Sequence, residues 1–246
     1  MRCRNYAHRG FSGRYPENTM LAFQKALEAG CEGMEFDVQL SRDGQVVIIH
    51  DERVDRTSDC RGSVREYTLS QLRQMDFSAG YRGQVPVQRI PTLQEYFELV
   101  RDRDIISNIE LKTGVYEYPG IEEKVDKLIR QYHMEDRVIL SSFNHHSILR
   151  MQAIHPELQY GFLSETWILN AGAYTAGHGV QAYHPHLAMV TEQEAADLKA
   201  HGVQINTWTV NEEADSLRMI RMDVDGIIGN FPDRTKALLY RQGLRP

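Results

Sequence analysis

Short apolar runs of strand length alternate with amphipathic stretches of helical period along almost the whole chain, and this rhythm constrains the fold most. The strand-like runs are Met34–Leu40, Val46–His50, Ile105–Leu111, Val138–Ser141, Leu158–Leu163, Val180–Tyr183, Val203–Trp208 and Gly226–Ile228, preceded by a first strand ending at His8. Between them lie helix-like segments at Thr19–Ala29, Leu93–Arg101, Ile121–Tyr132, Ser147–Ile154, Glu192–Ala200, Glu212–Met219 and Thr235–Tyr240. Strands that alternate with helices form βαβ units and hence a parallel sheet, because a parallel neighbour is reached only through a crossover. The punctuation agrees: Asn18-Thr19 suits a helix start, and Gly30 and Gly202 follow two helical stretches. With 246 residues and roughly eight strands expected, a TIM (β/α)8 barrel is favoured over a doubly wound sheet. A dinucleotide-binding fold would need a Gly-rich loop after the first strand. His8-Arg-Gly-Phe-Ser-Gly13 does not match GxGxxG.

One stretch breaks the alternation. The turn Ser41-Arg-Asp-Gly44 leads straight into Val46–His50, and Asp-Gly between two apolar runs signals a hairpin. Residues from about 51 to 89 are then rich in Gly and Arg, with one short helical piece near Leu69–Met75. They are expected to form a small insertion after the second strand, over one end of a barrel that takes in residues 1–246 as a single domain.

The ionisable residues within this pattern carry the chemistry. Glu35 and Asp37 stand two apart in a strand and therefore project from one face, as do Glu110 and Lys112 at the end of the next barrel strand. Carboxylates in such positions are costly unless paired or metal-bound. Two readings compete: salt bridges to Arg9 and Lys112, or an oxygen-rich site for one divalent cation. Three converging carboxylates favour the cation, with Mg²⁺ or Ca²⁺ the natural fit and Mn²⁺ admissible. His8 and His50 each end a strand, where TIM barrels carry their active sites, and imidazole exchanges protons near neutral pH. Two of them flanking a metal-bound phosphate suit a general acid and a general base. The planar fork of Arg9 can grip two phosphate oxygens and Lys112 can add a point charge, although either could equally pair with a neighbouring carboxylate. Trp208, at a strand end, is either core or pocket wall.

The overall charge narrows the partners. At a net charge of -6 and pI near 5.9, the chain is a poor match for nucleic acid or an anionic membrane surface. An anionic substrate has to be caught by a bound cation or a few focused basic groups. Cys3, Cys31 and Cys60 form no CxxC pair and suggest neither a disulfide framework nor a zinc site, which suits a reducing compartment. No stretch ahead of His8 has the apolar run of a signal peptide, and none approaches the roughly 18 apolar residues of a membrane span. A cytoplasmic protein without stable membrane association is expected; a homodimer is left open.

Taken in order, His8-Arg9-Gly10, Pro16-Glu17-Asn18-Thr19, Glu35-Phe36-Asp37-Val38, Asp43-Gly44, His50-Asp51, Glu110-Leu111-Lys112, Trp208-Thr209-Val210-Asn211 and Asp225-Gly226-Ile227-Ile228 resemble the motifs of glycerophosphodiester phosphodiesterases of the bacterial cytosolic type. The resemblance runs from about residue 4 to about residue 235. It implies a TIM barrel with an insertion after the second strand, and cleavage of a small glycerophosphodiester to sn-glycerol 3-phosphate and an alcohol. It also implies His8 and His50 as the acid/base pair, and Glu35, Asp37 and Glu110 as ligands of one divalent cation. By the same route Arg9 and Lys112 contact phosphate and Trp208 lines the substrate pocket. Whether a neighbouring glycerol hydroxyl or water attacks is left open, as is which histidine has which role. The alternatives are a related barrel acting on lysophospholipids or phosphoinositides, and a non-catalytic phosphate-binding barrel, which should have lost a histidine or a ligand. Elsewhere, Glu17 and Asn18 are expected to hold the His8 loop, and His145-His146 to lie on the surface. His184-Pro-His186 could ligate a second metal but is expected to do nothing catalytic, and the loop Gly229-Asn230-Phe231-Pro232, where family members vary, puts nothing chemical in doubt.

Overall fold

The computed structural model describes residues 3–244. Its strands are β1 (Arg4–His8), β2 (Gly33–Leu40), β3 (Val46–Ile48), β4 (Ile106–Leu111), β5 (Val138–Ser142), β6 (Gln159–Ser164), β7 (Ala182–Pro185), β8 (Gln204–Thr207) and β9 (Gly226–Gly229). Each barrel strand pairs in parallel with its neighbours, and β1 pairs with both β2 and β9, so the sheet closes on itself. The eight-stranded TIM barrel is therefore present. β3 stands outside the ring as the expected hairpin partner of β2, with Val38 opposite Ile48.

The period-two alternation of the strands separates two cores. Met34, Phe36 and Val38 of β2 face outward and pack with Phe23, Tyr96 and Phe97 from the surrounding helices in the main apolar layer. Their neighbours Glu35, Asp37 and Gln39 face inward. Inside the ring, Tyr6, Ile139 and Ile228 form a small apolar plug. Gly33 and Gly226 border it, because a Cβ at either position would lie within 2.4 or 2.7 Å of the Tyr6 ring. Beside the plug the lumen is polar and largely paired: Ser141 Oγ donates to Asn108 Oδ1 at 2.9 Å, and Asn206 Nδ2 donates to His184 Nε2 at 3.1 Å, while His184 Nδ1 has no partner.

Most helices fall where their periodicity predicts. The helix Met20–Ala29 is capped by the Thr19 side chain, which accepts from the Ala22 amide, and ends at Gly30. One helix, Ala171–Gly177, has no counterpart in the sequence reading, because Ala-Gly-Ala-Tyr-Thr-Ala-Gly shows no apolar stripe. After β3 the chain forms short turns of helix at Val64–Glu66 and Leu69–Leu72 around a second apolar cluster of Val54, Val64, Leu72, Met75, Phe77 and Ile90. Among the described residues no helix is long and apolar enough to cross a membrane.

Candidate active site

The site sits at the carboxyl ends of β1, β2 and β4. β1 stops at His8 because the next two residues take left-handed backbone angles, φ 54° at Arg9 and 78° at Gly10. Gly10 also lies so close to the first helix that an added Cβ would stand 2.8 Å from Ala22. The turn is pinned by the Arg9 amide donating to Glu35 O at 2.7 Å and the Asn18 amide donating to Arg9 O at 3.0 Å. Strand register then sets the acids side by side, with His8 opposite Glu35 and Asp37 opposite Glu110.

Ligand atoms of Glu35, Asp37 and Glu110 lie within 4.8 Å of one another, and all three residues are buried. Cations share the cluster. Arg9 Nε is 3.6 Å from Asp37 Oδ2, and Lys112 Nζ is 3.0 Å from Glu110 Oε1 and 3.9 Å from Asp37 Oδ1. The ion pairing read from the sequence is thus present, within an acidic group that could hold a metal. Pairing alone does not satisfy the acids: Glu35 Oε2 and Asp37 Oδ1 are buried without a hydrogen-bond partner. Such oxygens are expensive in a protein interior. Burial, reinforced by the Asp37 and Glu110 charges, pushes the Glu35 carboxyl well above the usual range. Burial also raises Glu110, to about 7, against the opposing pull of Lys112. Burial resists the ionisation of Asp37 too, but Arg9, His50 and Lys112 outweigh it and hold this carboxyl low. Oxygen donors with two orphaned lone-pair sites and a strained proton balance fit a hard divalent cation.

The two histidines flank this cluster. His8 Nδ1 is 2.6 Å from Asn230 Oδ1, which makes Nδ1 the protonated nitrogen and leaves Nε2 free, 3.8 Å from Glu35 Oε2. Burial, and then the Arg9 charge, lower the His8 pKa to about 4. His50 Nδ1 is 2.7 Å from Asp51 Oδ1, and its Nε2 is 3.3 Å from Lys112 Nζ. A cavity of about 420 Å³ opens onto both rings, Arg9, Glu35, Glu110 and Lys112, with Phe143 and Trp208 on its wall. Asp37 lies just beneath, 1% exposed. Trp208 is fixed by its indole N–H donating to His184 O at 2.9 Å, and its ring meets Phe143 edge-on at 5.5 Å. All eight residues singled out from the sequence therefore gather in one place. A larger groove of about 700 Å³ beside Asp43, Arg73 and Glu95 contains none of them.

Several residues stand where the sequence reading did not put them. Asn230, in a loop expected to be inert, anchors His8 from 222 positions away. No local signal marks it. Glu17 holds Arg9 as expected, but it also receives Arg56 of the insertion, which was not anticipated. Asn18 donates from its side chain to Asp37 Oδ2 at 2.9 Å, while Thr19 alone caps the helix. His146 is exposed as expected, but His145 is half-buried: its ring stacks on Phe162 at 4.1 Å and bonds Tyr174 and Leu163 O. His184 is fully buried in the lumen.

Comparison with known proteins gives a consistent picture. A family model described as "Glycerophosphoryl diester phosphodiesterase family" matches residues 8–234. A glycerophosphodiester phosphodiesterase from Caldanaerobacter subterraneus subsp. tengcongensis is 41% identical over 237 residues, covering 96% of this chain and 97% of the relative. One from Bacillus altitudinis is also 41% identical, over 93% of this chain and 95% of the relative. Among solved structures, an Oleispira antarctica phosphodiesterase in complex with the product sn-glycerol-3-phosphate superposes with a TM-score of 0.87 at 29% identity, covering 96% of each chain. The glycerophosphodiester phosphodiesterase of Thermotoga maritima superposes with a TM-score of 0.77 at 30% identity, over 97% of this chain and 99% of that one.

Proposed function

The chain belongs to the glycerophosphoryl diester phosphodiesterase family, and from that premise we propose that it hydrolyses small glycerophosphodiesters to sn-glycerol 3-phosphate and an alcohol with the aid of one divalent cation and two histidines. The observation that carries the proposal is the meeting of three buried carboxylates within 4.8 Å, two of their oxygens without a hydrogen bond, between two imidazoles. Glu35, Asp37 and Glu110 would hold the cation, Mg²⁺ or Ca²⁺ by their chemistry. When bound there it supplies Lewis acidity and charge neutralisation to a phosphoryl oxygen.

The remaining work falls to side chains. Arg9 and Lys112 bind the anionic phosphate and neutralise the charge that grows in the transition state. His8 is uncharged at neutral pH and offers Nε2, so it takes the proton of the attacking hydroxyl or water. His50, its Nδ1 held by the Asp51 carboxylate, turns Nε2 toward the cavity and delivers the proton to the departing alcohol. Trp208 and Phe143 wall the cavity and exclude water from one side. We place the activity in the cytoplasm on the strength of three free cysteines, two of them buried.

The deciding experiment is release of glycerol 3-phosphate from glycerophosphocholine, followed by a coupled assay with lysophosphatidylcholine as the comparison substrate. Turnover of the deacylated diester should stop on chelation and return with Mg²⁺ or Ca²⁺. Glu35→Gln and Glu110→Gln should need at least tenfold more cation. Turnover indifferent to chelator would remove the metal from the account, and a preference for lysophosphatidylcholine would move the substrate to intact lipids.

A further inference from the structure

We propose that Arg56, which does not line the cavity, is a positioning residue that locks His50 and Arg9 together through Asp51 and Glu17. The guanidinium uses three nitrogens on two carboxylates. Nε donates to Asp51 Oδ2 at 2.7 Å and Nη2 to Asp51 Oδ1 at 3.0 Å, while Nη1 donates to Glu17 Oε2 at 2.7 Å and Nη2 to Glu17 Oε1 at 2.8 Å. Each carboxylate passes the constraint inward. Asp51 Oδ1 also takes His50 Nδ1 at 2.7 Å, and Glu17 Oε1 also takes Arg9 Nη1 at 2.9 Å. One side chain from the insertion thereby sets the tautomer of an acid/base histidine and the fork of a phosphate-binding arginine.

The arrangement needs this residue type. A planar fork offers both carboxylates paired N–H donors in fixed directions, whereas an ammonium offers its three from one freely rotating point. Without the cation, Asp51 and Glu17 would face each other as like charges and swing apart. The backbone under His50 would not follow, because Gln39 Nε2 donates to the carbonyls of Ile49, His50 and Asp51 at 3.1, 2.9 and 2.8 Å. Arg56 therefore governs side-chain orientation and not the strand end. Its side chain is 48% exposed, and an exposed ion pair adds little to stability. Its value lies in geometry, where a displacement of about 1 Å can cost on the order of 100-fold in rate.

The kinetic part of the test rests on the phosphodiesterase reading; the spectroscopic part does not. At a pH where its ring is neutral, nitrogen-15 NMR of the full chain should show His50 as a single Nδ1-protonated tautomer in the wild type and as a mixture in Arg56→Gln. In turnover of glycerophosphocholine, Arg56→Gln should lower kcat by roughly 10- to 100-fold and raise KM severalfold, with an unchanged circular dichroism spectrum. Asp51→Asn should act mainly on kcat and Glu17→Gln mainly on KM. Adding Arg56→Gln to the Asp51→Asn, Glu17→Gln background should cost less than about threefold more, since coupled residues are non-additive. Arg56→Lys should recover only part of the loss. An unaltered His50 tautomer in Arg56→Gln overturns the proposal even if the wild type proves inactive on this substrate, and so do kcat and KM within twofold of wild type. Should Arg56→Gln not fold, Arg56→Lys decides by the same two measurements.

Discussion

His8 shows how one side chain is tuned by what surrounds it. Its Nδ1 is spent on Asn230 Oδ1 and its ring is buried beside the Arg9 guanidinium, so burial first and charge second hold its pKa near 4. A general base has to be unprotonated at working pH, and a ring so placed meets that condition throughout the neutral range. Nitrogen-15 NMR should therefore find His8 uncharged from pH 7 down to pH 5; protonation near the ordinary 6.5 would contradict the environment described. His8→Ala should lower kcat by roughly 10²–10⁴ with the fold intact, and near-normal turnover would take His8 out of the chemistry. Little of this tuning is legible in the chain. His8 and its strand end are visible in the sequence, whereas Asn230 becomes its neighbour only when β9 closes the ring against β1.

At the scale of elements, the sequence is most informative where a period is strict. In β2 the alternation of Met34, Phe36 and Val38 with Glu35, Asp37 and Gln39 predicts both the face that meets the helices and the face that carries the acids. It fails where structure comes from caps, glycines or distant contacts: the helix Ala171–Gly177 has no stripe, and the turns after β3 are held by a cluster gathered from residues 47 to 90. The turn between β1 and the first helix lies between these cases, since His-Arg-Gly is visible but its backbone angles are not. Gly10→Ala tests it. A side chain there meets both the left-handed φ of 78° and the Ala22 contact at 2.8 Å. Together these should destabilise the fold by about 2 kcal/mol or more. Because Arg9 sits in the same turn, the surviving folded enzyme should also show a raised KM. A variant with unchanged melting temperature and KM would mean that the turn relaxes at no cost.

For the whole molecule, the barrel that delivers strand ends to the site also encloses a lumen, and the lumen makes the fold sensitive to acid. His184 is 0% exposed there; its Nε2 accepts from Asn206, and its Nδ1 has no partner. Burial alone lowers its pKa from 6.5 to about 3. In the unfolded chain the same imidazole titrates normally, so between these values the unfolded state binds the extra proton and the folded state refuses it. Above about 6.5 neither form is charged and His184 costs nothing; as pH falls through the window stability drains away, and below about 3 the loss is complete. At pH 5 the penalty is about 2 kcal/mol, worth roughly 4–8 °C in melting temperature for a chain of this length. Carboxylates held low, such as Asp37 and Asp51, lose stability in the same direction, but their unfolded values near 4 put that loss at lower pH. His184→Gln removes the titrating group while keeping an acceptor for Asn206. Its melting temperature should start lower at pH 7.5 and fall less steeply than wild type between pH 6.5 and 5. Parallel slopes for the two proteins would show that the proton enters elsewhere.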